Sequence, residues 1–315
     1  MCTYNGEQFL REQLDSLLRQ TRPADEIIIQ DDHSTDGTWA LLHEYAARCP
    51  EIKLFTNEAG RGVNNNFFSA LRRATGDFIA ISDQDDIWNP AKLQRQLAAI
   101  GDNLLCTCRS KPFSTDGSPV NYDPRVPNYH LARMLYSSIA GHTVLINRRL
   151  LDLIPDQQTV GQIYYDVFLA LAAAAHDSIV LVNEVLVNHR RHEDAATFSR
   201  ADRHRAPSVG NALYTLSWSL WHYREMQPYL YDYFQRRYRL MQGIKAEGEL
   251  YDDVTAMAGL EGKPGMGSLM RLCRYHIKYR HTLFYTRGSG IVNFLRAALY
   301  CIMHVYFYRN LLPAD

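Results

Sequence analysis

The segment Ser82-Asp83-Gln84-Asp85-Asp86-Ile87-Trp88 sets three carboxylates within four positions, directly after the apolar run Phe78-Ile79-Ala80-Ile81. Such a run, bounded by Gly76 and a polar cluster, reads as a buried strand. Carboxylates at a strand's C-terminal end face the crevice where α/β sheets take their ligands. Asp83 and Asp85 are two positions apart and point the same way on an extended backbone. Hard oxygen donors so disposed suit one divalent cation, Mg2+ or Mn2+, which would in turn hold a diphosphate. The plainer alternative is an acidic turn capping a helix that opens near Pro90.

The elements that must position this segment follow from periodicity. Residues 7–20 repeat apolar groups at Phe9, Leu10, Leu14, Leu17 and Leu18, a helical spacing. Ile27-Ile28-Ile29 is a short strand ending at Asp31-Asp32. A helix starts at Asp36-Gly37 with Trp39, Leu41, Leu42 and Tyr45 inward, and Ile52-Lys53-Leu54-Phe55 is a strand. Residues 67–74 are helical, and Pro90 opens another helix with Leu93, Leu97 and Ile100 on one face. Strand and helix alternate, which predicts an α/β domain with a largely parallel sheet. Residues 109–128 read as a loop, rich in Pro, Ser, Asp and Gly, with a hairpin signal at Asp116-Gly117. Residues 143–146 predict a strand, 164–175 a helix, and 179–182 and 185–187 two further strands. Residues 207–315 are helical in period, aromatic and basic, with a break at 262–267, so a domain boundary is expected near 195–205.

Lys and Arg number 34, as do Asp and Glu, so no global field marks the chain for nucleic acid. With 46% hydrophobic and 22% charged residues the composition is that of a globular protein. The six cysteines are scattered. Cys106 and Cys108 share one face of a strand, and no second pair completes a zinc site. They read as reduced core residues in a reducing compartment. No signal peptide is recognisable. No run of 18 uncharged apolar residues occurs; the nearest, 291–308, is interrupted by Arg296 and His304.

Taken in order, Thr3-Tyr4-Asn5-Gly6, Asp31-Asp32-His33-Ser34-Thr35-Asp36-Gly37-Thr38, Ser82 to Trp88, Gly141-His142-Thr143, Tyr165-Asp166 and His189-Arg190-Arg191-His192 resemble the motifs of a family 2 glycosyltransferase. The resemblance is closest to the bacterial rhamnosyltransferase-like branch and runs from Cys2 to about Thr197. It implies the GT-A nucleotide-diphospho-sugar transferase fold, a Rossmann-like mixed sheet flanked by helices, over residues 1–198, with a helical extension over 199–315. The first βα turn and the Asp31 turn would flank a nucleotide lying across the strand ends. The resemblance assigns Thr3, Tyr4, Asn5 and Asp31 to the nucleotide, Asp83 to ribose or metal, Asp85 to the metal, and Asp86 to the donor sugar or its loop. His192 is a further metal ligand or a core-satisfied histidine. Arg190 and Arg191 are candidates for phosphate. His142 belongs to the acceptor-side turn.

Asp166 is the implied catalytic base, since an inverting transfer needs a carboxylate beside the acceptor hydroxyl; the plain alternative is an acid favoured by the helix dipole. Asp36 reads as a helix cap, and Trp88 as pocket wall or core. The implied reaction moves a sugar, rhamnose among the candidates, from a dTDP- or UDP-linked donor to a glycan or lipid-linked glycan in cell-surface polysaccharide synthesis, on the cytoplasmic side. A catalytically impaired glycan-binding scaffold is the alternative, and less so a sugar nucleotidyltransferase, whose opening Gly-rich phosphate loop is lacking. Two departures stand out. The family often has Gly where His33 stands, and its chains carry several apolar residues before the Cys-Thr-Tyr-Asn-like segment. A central strand starting at Met1-Cys2 predicts exposed neighbouring edges and reduced stability. Within 269–308, Arg271, Arg274, Lys278, Arg280 and Arg287 interleave with Phe284, Tyr285, Phe294 and Leu295. This composition suits peripheral membrane contact, or else a packing or dimer face.

Overall fold

The computed structural model describes residues 1–118, 120, 122–156, 163–193, 209–284 and 290–312. A first, wholly parallel sheet holds β1 (Cys2–Thr3), β2 (Ile27–Asp31) and β3 (Ile52–Thr56), with Thr3 opposite Asp31. Helices α1 (Glu7–Leu18) and α2 (Thr38–Arg48) cover it, burying Leu10, Leu14, Leu42 and Tyr45 against Ile29 and Ile52. Helix α3 (Val63–Arg73) packs on β1 and β2.

The second sheet is mixed. It contains β4 (Phe78–Ala80), β5 (Ile87–Trp88), β6 (Leu105–Ser114), β7 (Val144–Asn147) and β8 (Ile179–Arg191), in the order β4-β7-β6-β8-β5. Only β6 and β8 run parallel there; β7 is antiparallel to both its neighbours and β5 to β8. The largely parallel expectation thus holds for the first sheet alone. The loop expected from Arg109 begins later, because β6 continues to Ser114 opposite Arg191. The two strands expected over 179–187 are one, carried past its register shifts into His189 and Arg190. Long-range pairing overrides a polar local composition here. All six cysteines are free, and Cys106 and Cys108 are buried in β6.

Because β1 supplies two residues, Ile27 and Ile28 do not meet β4 through a strand. They face Ile79 and Ile81 across a cavity of about 430 Å³ whose walls also include Leu71 and Leu145. The Met1 amino group donates to the Ile28 carbonyl at 2.7 Å.

Helices α4 (Lys92–Ile100), α5 (Leu131–Met134) and α6 (Tyr165–Ala175) lie between these strands, and the described residues beyond β8 form α7 (Val209–Gly243), α8 (Glu249–Leu260), α9 (Met266–Lys278), α10 (Gly290–Met303) and a 3-10 stretch, His304–Leu311. The break expected at 262–267 lies between α8 and α9. The boundary expected near 195–205, and Thr197, lie outside the described residues.

These helices share one apolar cluster with α6, including Phe168, Met226, Phe234, Met257 and Val305. Inside it Glu261 is buried, accepting the Tyr136 hydroxyl at 2.5 Å and facing His304 Nε2 at 3.0 Å. Burial pushes the Glu261 carboxyl up, but His304 and its other partners outweigh that and hold it below its ordinary value. Burial drives the neighbouring His276 imidazole down to about 3, so it stays neutral.

Candidate active site

The turns after β1 and β2 are tied together through Asp31. Its buried carboxylate accepts Thr3 Oγ1 at 2.7 Å, Ser34 Oγ at 2.6 Å and the Ser34 amide at 2.7 Å. Asn5 stands at φ +46, a left-handed conformation that Asn tolerates. Its amide donates to Ser34 Oγ at 2.8 Å and its side-chain oxygen accepts the Thr35 amide at 2.8 Å. Thr3 and Asp31 are buried, whereas Tyr4 is 53% exposed. His33 sits at φ +63, which explains why glycine suits the position; its Nε2 lies 2.9 Å from the Asn57 carbonyl. Asp36 accepts the Thr38 amide at the start of α2, a capping contact.

Strand β4 ends at Ala80, so Asp83 to Asp86 lie on a bend rather than a strand. Strand alternation therefore does not align Asp83 with Asp85. Asp83 Oδ2 is 3.7 Å from His142 Nδ1, whereas Asp85 Oδ2 is 2.9 Å from His192 Nε2. Asp86 is fully buried: Oδ1 accepts the Arg190 amide at 3.0 Å and lies 3.0 Å from His189 Nδ1. His142 and His189 stack at 4.4 Å, and the ligand atoms of Asp86, His142 and His189 all lie within 4.8 Å of one another.

The sequence does not reveal two of the devices that hold this loop. Gln84 clamps the Tyr4 peptide: its Oε1 accepts the Tyr4 amide at 2.9 Å and its amide group donates to the Tyr4 carbonyl at 3.0 Å. Gln84→Ala is expected to raise the KM for donor about tenfold, as loss of two hydrogen bonds implies, with a smaller change in kcat. Initial rates over a donor titration check the split. Arg190 is the second device. It is 2% exposed and lies between the rings of Phe9 and Phe113, each 4.6 Å away. Its Nε donates to the Asp85 carbonyl at 2.9 Å and a terminal nitrogen to Glu12 at 2.8 Å. Arg190 therefore braces Asp85 instead of reaching for phosphate, and Arg191 beside it is partly exposed. Trp88 is core, buried beneath Lys92 Nζ at 3.7 Å.

The electrostatics favour a cation. Burial, then the charges of Asp83 and Asp86, push the Asp85 carboxyl up. Burial opposes Asp86's ionisation, yet His142 and His189 hold its carboxyl low. Buried polar atoms of Asp86 (Oδ2), His142 (Nε2) and His192 (Nδ1) lack hydrogen-bond partners. The three carboxylates are hard oxygen donors of the kind that suits Mg2+ or Mn2+, and the ligand atoms of Asp86, His142 and His189 are close enough to share one ion. Asp83 and Asp85 keep exposed side-chain surface, at 31% and 16%, whereas Asp86 has none. Of the three, Asp83 and Asp85 are the carboxylates open to a ligand from solvent.

Asp166 opens α6, its Oδ1 accepting the Val167 amide at 2.8 Å. Burial, with a further contribution from Asp83's charge, raises its carboxyl to about 6. The adjacent Tyr165 is buried, stacked on Phe67 at 4.1 Å, with its amide donating to Asn64.

The architecture is the GT-A fold of nucleotide-sugar transferases. TarS of S. aureus, solved with UDP, superposes over 94% of this chain and 88% of its own at TM-score 0.54 and 19% identity. A mannosyltransferase of Pyrobaculum calidifontis, solved with GDP-Man and Mn2+, superposes over 100% and 86% at TM-score 0.50 and 16% identity. Residues 1–152, just under half of the chain, match the family model Glycosyl transferase family 2. Among curated relatives, the putative glycosyltransferase EpsE of Bacillus subtilis is 39% identical over 99 residues, 31% of this chain and 36% of that protein. The dTDP-rhamnosyl transferase RfbG of Shigella flexneri is 34% identical over 112 residues, 34% of this chain and 39% of that protein. The chain thus spans well under half the length of these relatives.

Proposed function

We propose that the protein is an inverting, metal-dependent glycosyltransferase. It takes a sugar from a nucleotide diphosphate, dTDP- or UDP-linked, and passes it to a glycan or lipid-linked glycan in cell-surface polysaccharide synthesis at the cytoplasmic face of the membrane. What supports this reading is the Thr3–Asp31 hydrogen bond joining the first two turns, the Asp85–His192 pair, and an Asp166 carboxyl raised to about 6 by burial and by Asp83. Likeness to the rhamnosyl transferase supports rhamnose as the sugar.

In this reading the Tyr4 ring meets the base and Asn5 and Asp31 hold the turn around it. Asp83, Asp85 and His192 would hold a divalent cation, which when bound would supply positive charge against the leaving diphosphate. Asp86, bound to His189 and His142, fixes the loop from beneath. Asp166 Oδ2 removes the acceptor hydroxyl's proton as the oxygen attacks from the face opposite the leaving group. The test is a screen of nucleotide sugars by calorimetry with Mn2+ and with chelator. Metal-dependent binding of one donor, followed by its turnover, is expected. Binding of glycan alone, with no nucleotide sugar bound or consumed, would leave the scaffold reading in its place.

A further inference from the structure

Helix α10 turns its small and polar residues inward and its large apolar ones outward. Asn293, Ala297 and Cys301, at intervals of four, are buried, and His304 on the same side reaches Glu261. The opposite side carries Ile291, Phe294, Leu295 and Leu299, all exposed, Ile291 by 75%. A soluble helix has the reverse arrangement. Its neighbours continue the pattern. On α9, joined to α10 by the Cys273 thiol at the Ala298 carbonyl, Met266 and Met270 are exposed alongside Arg271 and Arg274. On α7, joined to α10 by Ser219 Oγ at the Met303 carbonyl, Leu220 and Trp221 are exposed, Trp221 by 85%.

We propose that this face of α9 and α10, flanked by the start of α7, docks in the plane of an anionic lipid surface. Methionine, leucine, phenylalanine and tryptophan would enter the acyl boundary, and Arg271 and Arg274 would meet lipid phosphates. No carboxylate among the described residues pairs with either arginine. The stretch Gly290–Leu311 is 22 residues long and its most apolar 18-residue window has a mean hydropathy of 1.4, enough by length to cross a bilayer. Crossing would expose Asn293 and pull His304 from Glu261, so the helix lies flat. A second copy of the chain is the weaker occupant, since a two-fold contact would set Arg271 and Arg274 near their own copies. Of the charges expected to serve this role, Lys278 is engaged by Glu249 and Asp253; Tyr285 and Arg287 lie outside the described residues.

The proposal is independent of the donor-site reading, and donor binding measured on the same samples separates the two. The full chain is expected to co-sediment with vesicles of phosphatidylcholine plus phosphatidylglycerol, and less so as salt rises. Arg271→Gln with Arg274→Gln is expected to weaken this about 30-fold. Leu295→Glu with Leu299→Glu is expected to abolish it, with melting and donor binding unchanged. Should the glutamate variant misfold, the wild-type comparison still decides. Absence of sedimentation, equal binding to pure phosphatidylcholine at high salt, or a lipid-free dimer dissolved by the same glutamates would overturn the proposal.

Discussion

Asp85→Asn is expected to lower transfer about a thousandfold or more, because a cation at a developing diphosphate supplies several kcal/mol that depend on its ligands. Asp85 is the carboxylate with the strongest claim. It keeps solvent access, faces His192 at 2.9 Å, and its main chain is pinned by Arg190. The variant should bind donor as wild type does in chelator but lose the gain that Mn2+ brings. Calorimetry with each additive reads this directly. An unchanged metal-dependent gain would move the site to Asp86, His142 and His189. Asp83→Asn should do less, since Asp83 stands 3.7 Å from its nearest imidazole.

Asp166→Asn is expected to reduce turnover at least about a hundredfold with donor affinity near normal. The same substitution should stabilise the fold. The carboxyl is raised to about 6 in the folded chain, against about 3.9 in an unfolded one, so burial favours its neutral form. That contribution is complete below the unfolded value and is lost as pH rises through about 6. At neutral pH the amide removes the cost of a buried charge, about 1–3 kcal/mol. Wild-type turnover should fall as pH drops through 6, the range in which Asp166 protonates. Thermal melts and pH–rate profiles of both forms test the pairing of lost rate with gained stability. Lost donor affinity at normal rate would instead assign Asp166 to the nucleotide site.

The local signals were sufficient for α1, α2, β2 and β3, where apolar spacing alone decides the element. They were insufficient for the outer half of β6. Arg109 to Ser114 are polar and include Pro112, and only the length of β8 makes them a strand. The acidic motif stood out by composition, but its geometry did not, because a bend replaces the strand on which alternation would have aligned Asp83 and Asp85. Gln84 was hidden between two aspartates that drew the chemical reading. The role of Arg190 rests on Phe9, Glu12 and Phe113, all distant in sequence. Period locates the two faces of α10 but not which faces inward; Glu261 decides that.

Among the described residues the two sheets share no strand ladder. What crosses is side-chain traffic: Gln84 on Tyr4, Gln13 on Ser82 at 2.7 Å, and Glu26 on the Thr75 amide. The turns assigned to the nucleobase belong to one sheet, and the carboxylates assigned to the diphosphate to the edge of the other. A donor lying across both would bridge the two sheets, and part of its binding energy would go into fixing the Tyr4 and Asp83 turns against each other through Gln84.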